Sequence, residues 1–300
     1  MFIGMDISKN SVDAVSSCGT FKLQGVNPLE AAAALAGKAV QLVVLEATGG
    51  YERCAVEALQ AKNIPVAVVN PRQARDFAKA LGKRAKTDAV DAAVLAQFAK
   101  VFTPKATNPV AAHMKQLQAL VARRRQLNHL LTQEKNRFHQ AADDVIKTSL
   151  REVMNTLQEA LKSMNAAIHH LLKAHWKDTQ ELLLKVKGVG PITAATLIAE
   201  LPELGIVGRK QISALAGVAP FTQQSGLWKG KSVCTGGRKN VRTALYMAAL
   251  AAVRHDDTLE AFYTKLVEAG KPKKLALNAV MRRMLVILNA KMRDGMQKTA

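Results

Sequence analysis

Four acidic residues in the first hundred positions stand where chemistry can be built. Asp6 follows the apolar run Phe2-Ile3-Gly4-Met5, and Glu46 follows Leu42-Val43-Val44-Leu45. Asp88 and Asp91 open a third apolar stretch that runs to Phe98. Their spacing puts both on one face of a helix, where like charges repel. Each acid has a plain reading of its own. Asp88 and Asp91 suit the positive end of a helix dipole, Asp6 suits a turn cap into Ser8-Lys9, and Glu46 suits a strand-end charge reaching solvent. Taken together, the four make an all-oxygen donor set that two hard, partly hydrated divalent cations would neutralise. Two metals held close together activate an attacking oxygen and stabilise a leaving one in phosphoryl transfer.

A second candidate group lies near the other end. Residues Phe221 to Arg242 are rich in Gly and hydroxyl side chains and carry the cations Lys229, Lys231, Arg238, Lys239 and Arg242. Such a segment suits contact with phosphates. Within it Ser225 precedes Gly226; by residue type alone it is a hydrogen-bonding loop serine far more often than a nucleophile. Upstream, Gly188-Val189-Gly190-Pro191 separates an apolar helical turn from a helix over Ile192 to Leu201. This is the sequence form of a helix-hairpin-helix, in which Gly188 and Gly190 let backbone N–H groups approach a phosphate. An ordinary tight turn between helices fits the same residues.

The elements that must position these groups follow from the apolar pattern. Strands are expected over Phe2–Ile7, Ser11–Ser17 and Phe21–Val26, as an antiparallel meander. A helix begins at Asn27-Pro28 and ends at Gly37. Gln41–Glu46 and Ile64–Val69 read as buried central strands, separated by a Gly49-Gly50 turn and a helix to Ala61. A helix from Arg72 to Leu81, a basic loop (Lys83, Arg84, Lys86) and the helix bearing Asp88 and Asp91 complete the set. Three strands, helix, strand, helix, strand, helices is the order of the ribonuclease H-like fold, and the carboxyl ends of its adjacent central strands are where α/β sheets place ligands.

From Val110 to Lys187 there is neither Gly nor Pro, which predicts extended helix. Leu117, Leu120, Arg124, Leu127, Leu131, Glu134, Phe138, Ala141 and Val145 alternate steps of three and four, as do Leu150, Met154, Leu157, Leu161, Met164, Ile168, Leu171 and His175. These are heptad seams, and Ser149 with Glu152 fits a capping box opening the second helix. The expectation is a long coiled-coil hairpin that packs on itself or on another protomer, with Arg124 and Glu134 fixing register or pairing across subunits.

The composition narrows the partner. A net charge of +20 favours a polyanion, nucleic acid before a membrane surface. Cys18, Cys54 and Cys234 are far apart and odd in number, which fits a reducing cytoplasm rather than a disulfide framework or a zinc site. No leader or membrane-length apolar stretch is present, so a cytoplasmic location without a membrane partner is expected.

Several short motifs recur here in a fixed order. They are Ile3-Gly4-Met5-Asp6 with Lys9, Leu45-Glu46-Ala47-Thr48-Gly49-Gly50-Tyr51, Val69-Asn70-Pro71 and Lys86-Thr87-Asp88-Ala89-Val90-Asp91-Ala92. Gly188-Val189-Gly190, Gly217-Val218-Ala219-Pro220, Gln224-Ser225-Gly226 and Gly236-Gly237 through Arg242-Thr243-Ala244-Leu245 follow. In this combination the chain resembles the insertion-sequence-110 type DEDD transposases and their relatives, the Piv DNA invertases.

The resemblance implies a RuvC-like nuclease domain over 1–107, a coiled-coil hairpin over 108–181 and a small helical transposase domain over 182–300. It implies a site for Mg²⁺ or Mn²⁺ on Asp6, Glu46, Asp88 and Asp91, and a nucleophilic serine that falls on Ser225. It implies recombination of double-stranded donor and target DNA guided by a structured RNA from the element's own flank. It also implies dimers and tetramers in which one protomer's acids face another's serine, in the bacterial cytosol at the nucleoid. The hairpin departs from the commoner Gly-Ile-Gly, and Trp228 beside the serine has no counterpart in the pattern. Two rivals share these residues: a hydrolytic junction resolvase with a structural serine, and a non-catalytic nucleic-acid scaffold. An actin-like ATPase would want further Gly-rich phosphate loops, which the chain lacks.

Overall fold

Leu42–Glu46 (β4) is the strand around which the first unit is built. Four consecutive apolar residues bury on both faces, as central parallel strands require. Phe2–Ile7 (β1) and Val66–Val69 (β5) flank it in parallel, while Val12–Ser16 (β2) and Lys22–Val26 (β3) extend the sheet in antiparallel fashion, giving the order β3-β2-β1-β4-β5. The computed structural model describes residues 1–9, 11–82, 88–222, 224–225, 228–230 and 232–299, without the side chains of Asp88, Ala89, Trp228, Lys229, Lys298 and Thr299. The chain divides into two compact units, Met1–Val110 and Ala111–Ala300. The first is a mixed α/β unit consistent with a RuvC-like domain.

Alternation along the strands sorts side chains to two faces. Ile3, Met5, Ile7, Val43 and Leu45 pack with residues of Pro28–Leu35 (α1) and Glu52–Ala61 (α2). Leu42, Val44, Ala67 and Val69 pack on the opposite face with residues of Pro71–Ala80 (α3) and Asp88–Phe102 (α4). Asn27 starts α1 as expected and does so with a capping box, accepting from the N–H groups of Leu29 and Glu30. Asn70 likewise accepts from Arg72 N–H ahead of Pro71 at the first position of α3.

The contact that fixes α4 is backbone on backbone. A Cβ added to Gly4 would overlap the carbonyl oxygen of Ala92 and the amide nitrogen of Ala96. Helix α4 therefore lies directly on β1, with no side chain between them at that point.

In the second unit Ala112–Gln140 (α5) and Asp144–His175 (α6) form a hairpin. Leu127, Leu131 and Leu161 bury between them with Met154, Leu157 and Met164 alongside. Arg124 donates to Asn165 Oδ1 at 2.6 Å across the pair, so this polar seam position bonds within the hairpin, and Glu134 pairs with Arg137 on its own helix. The expected start of the second helix at Ser149 is corrected to Asp144. The Asp143 carboxylate accepts from the N–H groups of Val145 and Ile146 and caps the helix six residues earlier, leaving Ser149 in its interior. Val145, expected in the seam, is 79% exposed in the first turn of α6.

Lys177–Leu184 (α7), Pro191–Glu200 (α8), Arg209–Leu215 (α9), Lys239–His255 (α10), Asp257–Glu268 (α11) and Lys273–Thr299 (α12) complete the unit. Their apolar faces share one core with the base of the hairpin, including Leu117, Val121, Ile168 and Leu172. Among the described residues no helix is long and apolar enough to cross a membrane.

A Gly4→Ala protein should lose about 3 kcal/mol or more of stability in the first unit, because the clash is with main chain that cannot rotate away. Denaturant unfolding followed by a probe in that unit measures it. An unchanged midpoint would show that α4 does not seat on β1.

Candidate active site

Asp6 and Glu46 become neighbours through strand register. β1 and β4 pair in parallel up to Met5 opposite Leu45, so the next residues, Asp6 and Glu46, end adjacent strands level with one another. Both follow the alternation that carries Phe2, Gly4, Leu42 and Val44 to the α3/α4 face. Asp91 is the residue directly before Ala92, whose carbonyl oxygen meets Gly4. Asp6, Glu46 and Asp91 are all half-buried. Asp88 opens the same helix, with its side chain outside the described residues.

The sequence reading missed another acid on this face. Asp13 is the antiparallel partner of Asp6, and Oδ1 of its carboxylate accepts from Gly25 N–H at 2.8 Å. Like charges placed directly opposite across a ladder repel, so this end of the sheet concentrates negative charge. Among the described residues, no three His, Cys, Asp or Glu side chains form a group that could hold a metal ion.

The loop leaving Glu46 is closed by a residue that the sequence did not single out. Glu52 Oε2 accepts from Thr48 N–H at 3.0 Å, Thr48 Oγ1 at 3.2 Å and Gly50 N–H at 2.8 Å. Burial pushes this carboxyl's pKa up, but hydrogen bonds from the backbone and from Thr48 outweigh that and hold it below the usual value. The Ala47 N–H donates to Val69 O, so both sides of the loop behind Glu46 are tied down.

The serine segment, expected as a loop, is corrected to two short ladders. Pro220–Phe221 (β6) pairs with Val233–Cys234 (β9). Gln224–Ser225 (β7) pairs with Trp228–Lys229 (β8), setting Ser225 opposite Trp228. Ser225 is exposed. Lys231 and Lys86 lie outside the described residues, as does the Lys229 side chain.

Two glycines lock the base of the segment. Gly217 and Gly237 both have positive φ, and a Cβ on either would overlap the other segment's main chain. Arg242 donates to Gly236 O at 2.7 Å and Gly217 O at 3.4 Å. Arg238 makes a two-pronged ion pair with Glu203 at 2.5 and 2.7 Å, and its N–H donates to Leu215 O. These two arginines, read as phosphate contacts, do structural work the sequence did not disclose; Lys239 is exposed. The Arg238 hydrogen bond is the main cause that holds the Glu203 carboxyl below its usual pKa, against a smaller upward push from burial. The turn bearing Glu203 is held in its own right: Asn289, buried in α12, accepts from Gly205 N–H and donates to Val207 O.

Gly188 also has a structural task. Its φ is +90°, and a Cβ there would overlap the Ala248 carbonyl oxygen and crowd Ala252 of α10. Gly190 caps α8 with nothing within 4 Å of its Cβ position.

Comparison with known proteins defines the class. Residues 3–147 match a DEDD-type family model described as a transposase. Residues 180–264 match the model described as Transposase IS116/IS110/IS902 family, so the two matched stretches are similar to IS110-family transposase domains. It is 28% identical over 311 residues to the pilin gene-inverting proteins of Moraxella bovis and Moraxella lacunata, covering 98% of this chain and 96% of each relative. It is also 28% identical over 154 residues to an uncharacterized 43.6 kDa protein of insertion element IS110 from Streptomyces coelicolor, covering 51% of this chain and 38% of that one.

Both carboxyls with depressed pKa, Glu52 and Glu203, contribute stability that is complete above the unfolded glutamate value of about 4.3 and is lost as pH falls through their lower folded values. Stability should therefore fall with acid below about pH 4.3, and Glu203→Gln should flatten that slope and lower stability at neutral pH. Urea unfolding across pH tests this. An identical acid limb in wild type and variant would show that the Arg238 pair is not formed in solution.

Proposed function

We propose that this protein cuts and rejoins DNA as a transposase or invertase, with Ser225 as nucleophile and Asp6, Glu46, Asp88 and Asp91 as ligands for Mg²⁺ or Mn²⁺. The observation that carries the reading is the register that sets Asp6 level with Glu46 on the sheet face that α4 covers with Asp91 one residue from its contact on β1. The donor set fits a hard divalent ion: every candidate ligand is a carboxylate, the oxygen donor such ions take. Such an ion, when bound, supplies polarisation of the scissile phosphate and stabilisation of a leaving oxygen.

The Ser225 hydroxyl supplies the oxygen that forms the new bond to phosphorus, and the bond from phosphorus to the 3′ oxygen breaks. The serine proton is lost and the leaving 3′ oxygen gains one, so phosphoester bonds are conserved and rejoining needs no ATP. Lys86, Lys229, Lys231 and Lys239 add backbone attraction, and the N–H groups around Gly188 and Gly190 offer further phosphate contact. The name of the Moraxella relatives, inversion of a pilin gene, supports strand exchange between two DNA sites. The net charge of +20 supports a nucleic-acid partner. The same reading includes a structured guide RNA pairing with donor and target, and a dimeric or tetrameric assembly.

Ser225→Ala should abolish strand exchange and any protein–DNA covalent adduct while leaving DNA affinity within about threefold. Asp91→Asn should reduce exchange by about three orders of magnitude. Denaturing gels of a labelled substrate detect the adduct; cleavage without it in wild type would identify a hydrolytic resolvase instead. Sequencing the RNA that copurifies tests the guide, and absence of a discrete species would remove it.

A further inference from the structure

Beside the serine hairpin stands an apolar pair with no role in the chemistry above. Phe221 and Val233 are register partners on the β6–β9 ladder, 46% and 60% exposed respectively. The next pair, Pro220 and Cys234, is anchored from behind. The Asn278 amide of α12 donates to Cys234 Sγ at 3.0 Å, and the thiol donates to Val218 O at 3.6 Å. An aromatic ring on an anchored ladder is held in place before any ligand arrives, which lowers the entropic cost of stacking against it.

The surroundings select the ligand. From Leu204 to His255 the chain has no Asp or Glu and eight Lys or Arg, of which Arg238 is paired with Glu203. Thr222, Ser232 and Thr235, all exposed, flank the pair. A symmetric contact with a second copy would set this mainly basic segment against itself. A nucleic acid strand instead offers phosphates for the cations and a flat base for the ring.

We propose that Phe221, backed by Val233, is a stacking platform for an unpaired base of the DNA strand that Ser225 cuts. The inference rests on the recombinase reading. Ser225 stands four positions after Phe221, so their Cα atoms lie within about 14 Å. A DNA strand advances about 3.4 Å per nucleotide, which places the stacked base within about four nucleotides of the scissile phosphate. Holding an unstacked base there would expose the cut end for exchange with its new partner.

The test uses the full chain with a short oligo-dT strand and a duplex of equal length. Phe221→Ala should weaken the single strand by about tenfold and leave duplex affinity within about twofold. Phe221→Trp should retain single-strand affinity, which separates loss of the ring from loss of the fold. A substrate carrying 2-aminopurine near the cut should show quenched fluorescence with wild type and Phe221→Trp but not with Phe221→Ala. Equal single-strand affinity in wild type and Phe221→Ala overturns the platform. So does a variant whose only change is a smaller species in sedimentation, which would make the pair a protein contact. Wild type that binds neither strand nor duplex overturns the recombinase reading itself.

Discussion

The contact between Gly4 and the backbone of α4 is the constraint on which the placement of the candidate acids depends. Two main chains meet where any side chain would hold them apart. Because the helix rests on the strand at Ala92 and Ala96, the residue just before, Asp91, is delivered to the sheet without relying on a flexible loop. β-sheet register does the same for Asp6 and Glu46. Asp6 and Glu46 thus end adjacent strands level with one another on the face that α4 covers. The Glu52 clamp continues the same logic, since it closes the loop that leaves Glu46 with three donors on one oxygen.

The serine segment is held by different physics. Its two-residue ladders are too short to be stable alone, so they depend on the neighbouring core. Asn289 fixes the turn that carries Glu203, Glu203 grips Arg238, and Arg238 opens α10 immediately after the paired glycines. The basic character of the segment is therefore divided. Arg238 and Arg242 build the base, and Lys239 is left exposed.

What could be read in advance divides along physical lines. Long apolar runs such as Leu42–Leu45 are strands from either direction, because burial on both faces leaves few alternatives. The helix start at Asn27-Pro28 was equally legible, and so was the helix that follows Asn70-Pro71, since the signal in each is local. The start of α6 was not. Ser149 and Glu152 satisfy a local pattern, yet Asp143 caps six residues earlier, and Ala141 and Ala142 leave the helix without the Gly or Pro that would mark a break. The ladders around Ser225 offer too few residues for alternation to register. The partners of Arg238 and Gly188 lie 35 and about 60 positions away, a separation at which no local pattern reports. Asp13 was visible as an acid, but only pairing with Asp6 gave it meaning.

The interlocked glycines have a consequence for how this protein can change. Gly217 and Gly237 meet main chain to main chain, so the two ends of the intervening stretch are joined as if by a clasp. Within it Val218 belongs to the core and Cys234 is held by Asn278 of α12, so length and sequence are freest to vary between Phe221 and Val233. The serine hairpin is in this sense a head on a fixed mount, and the mount includes Val218 and Cys234 as well as both glycines.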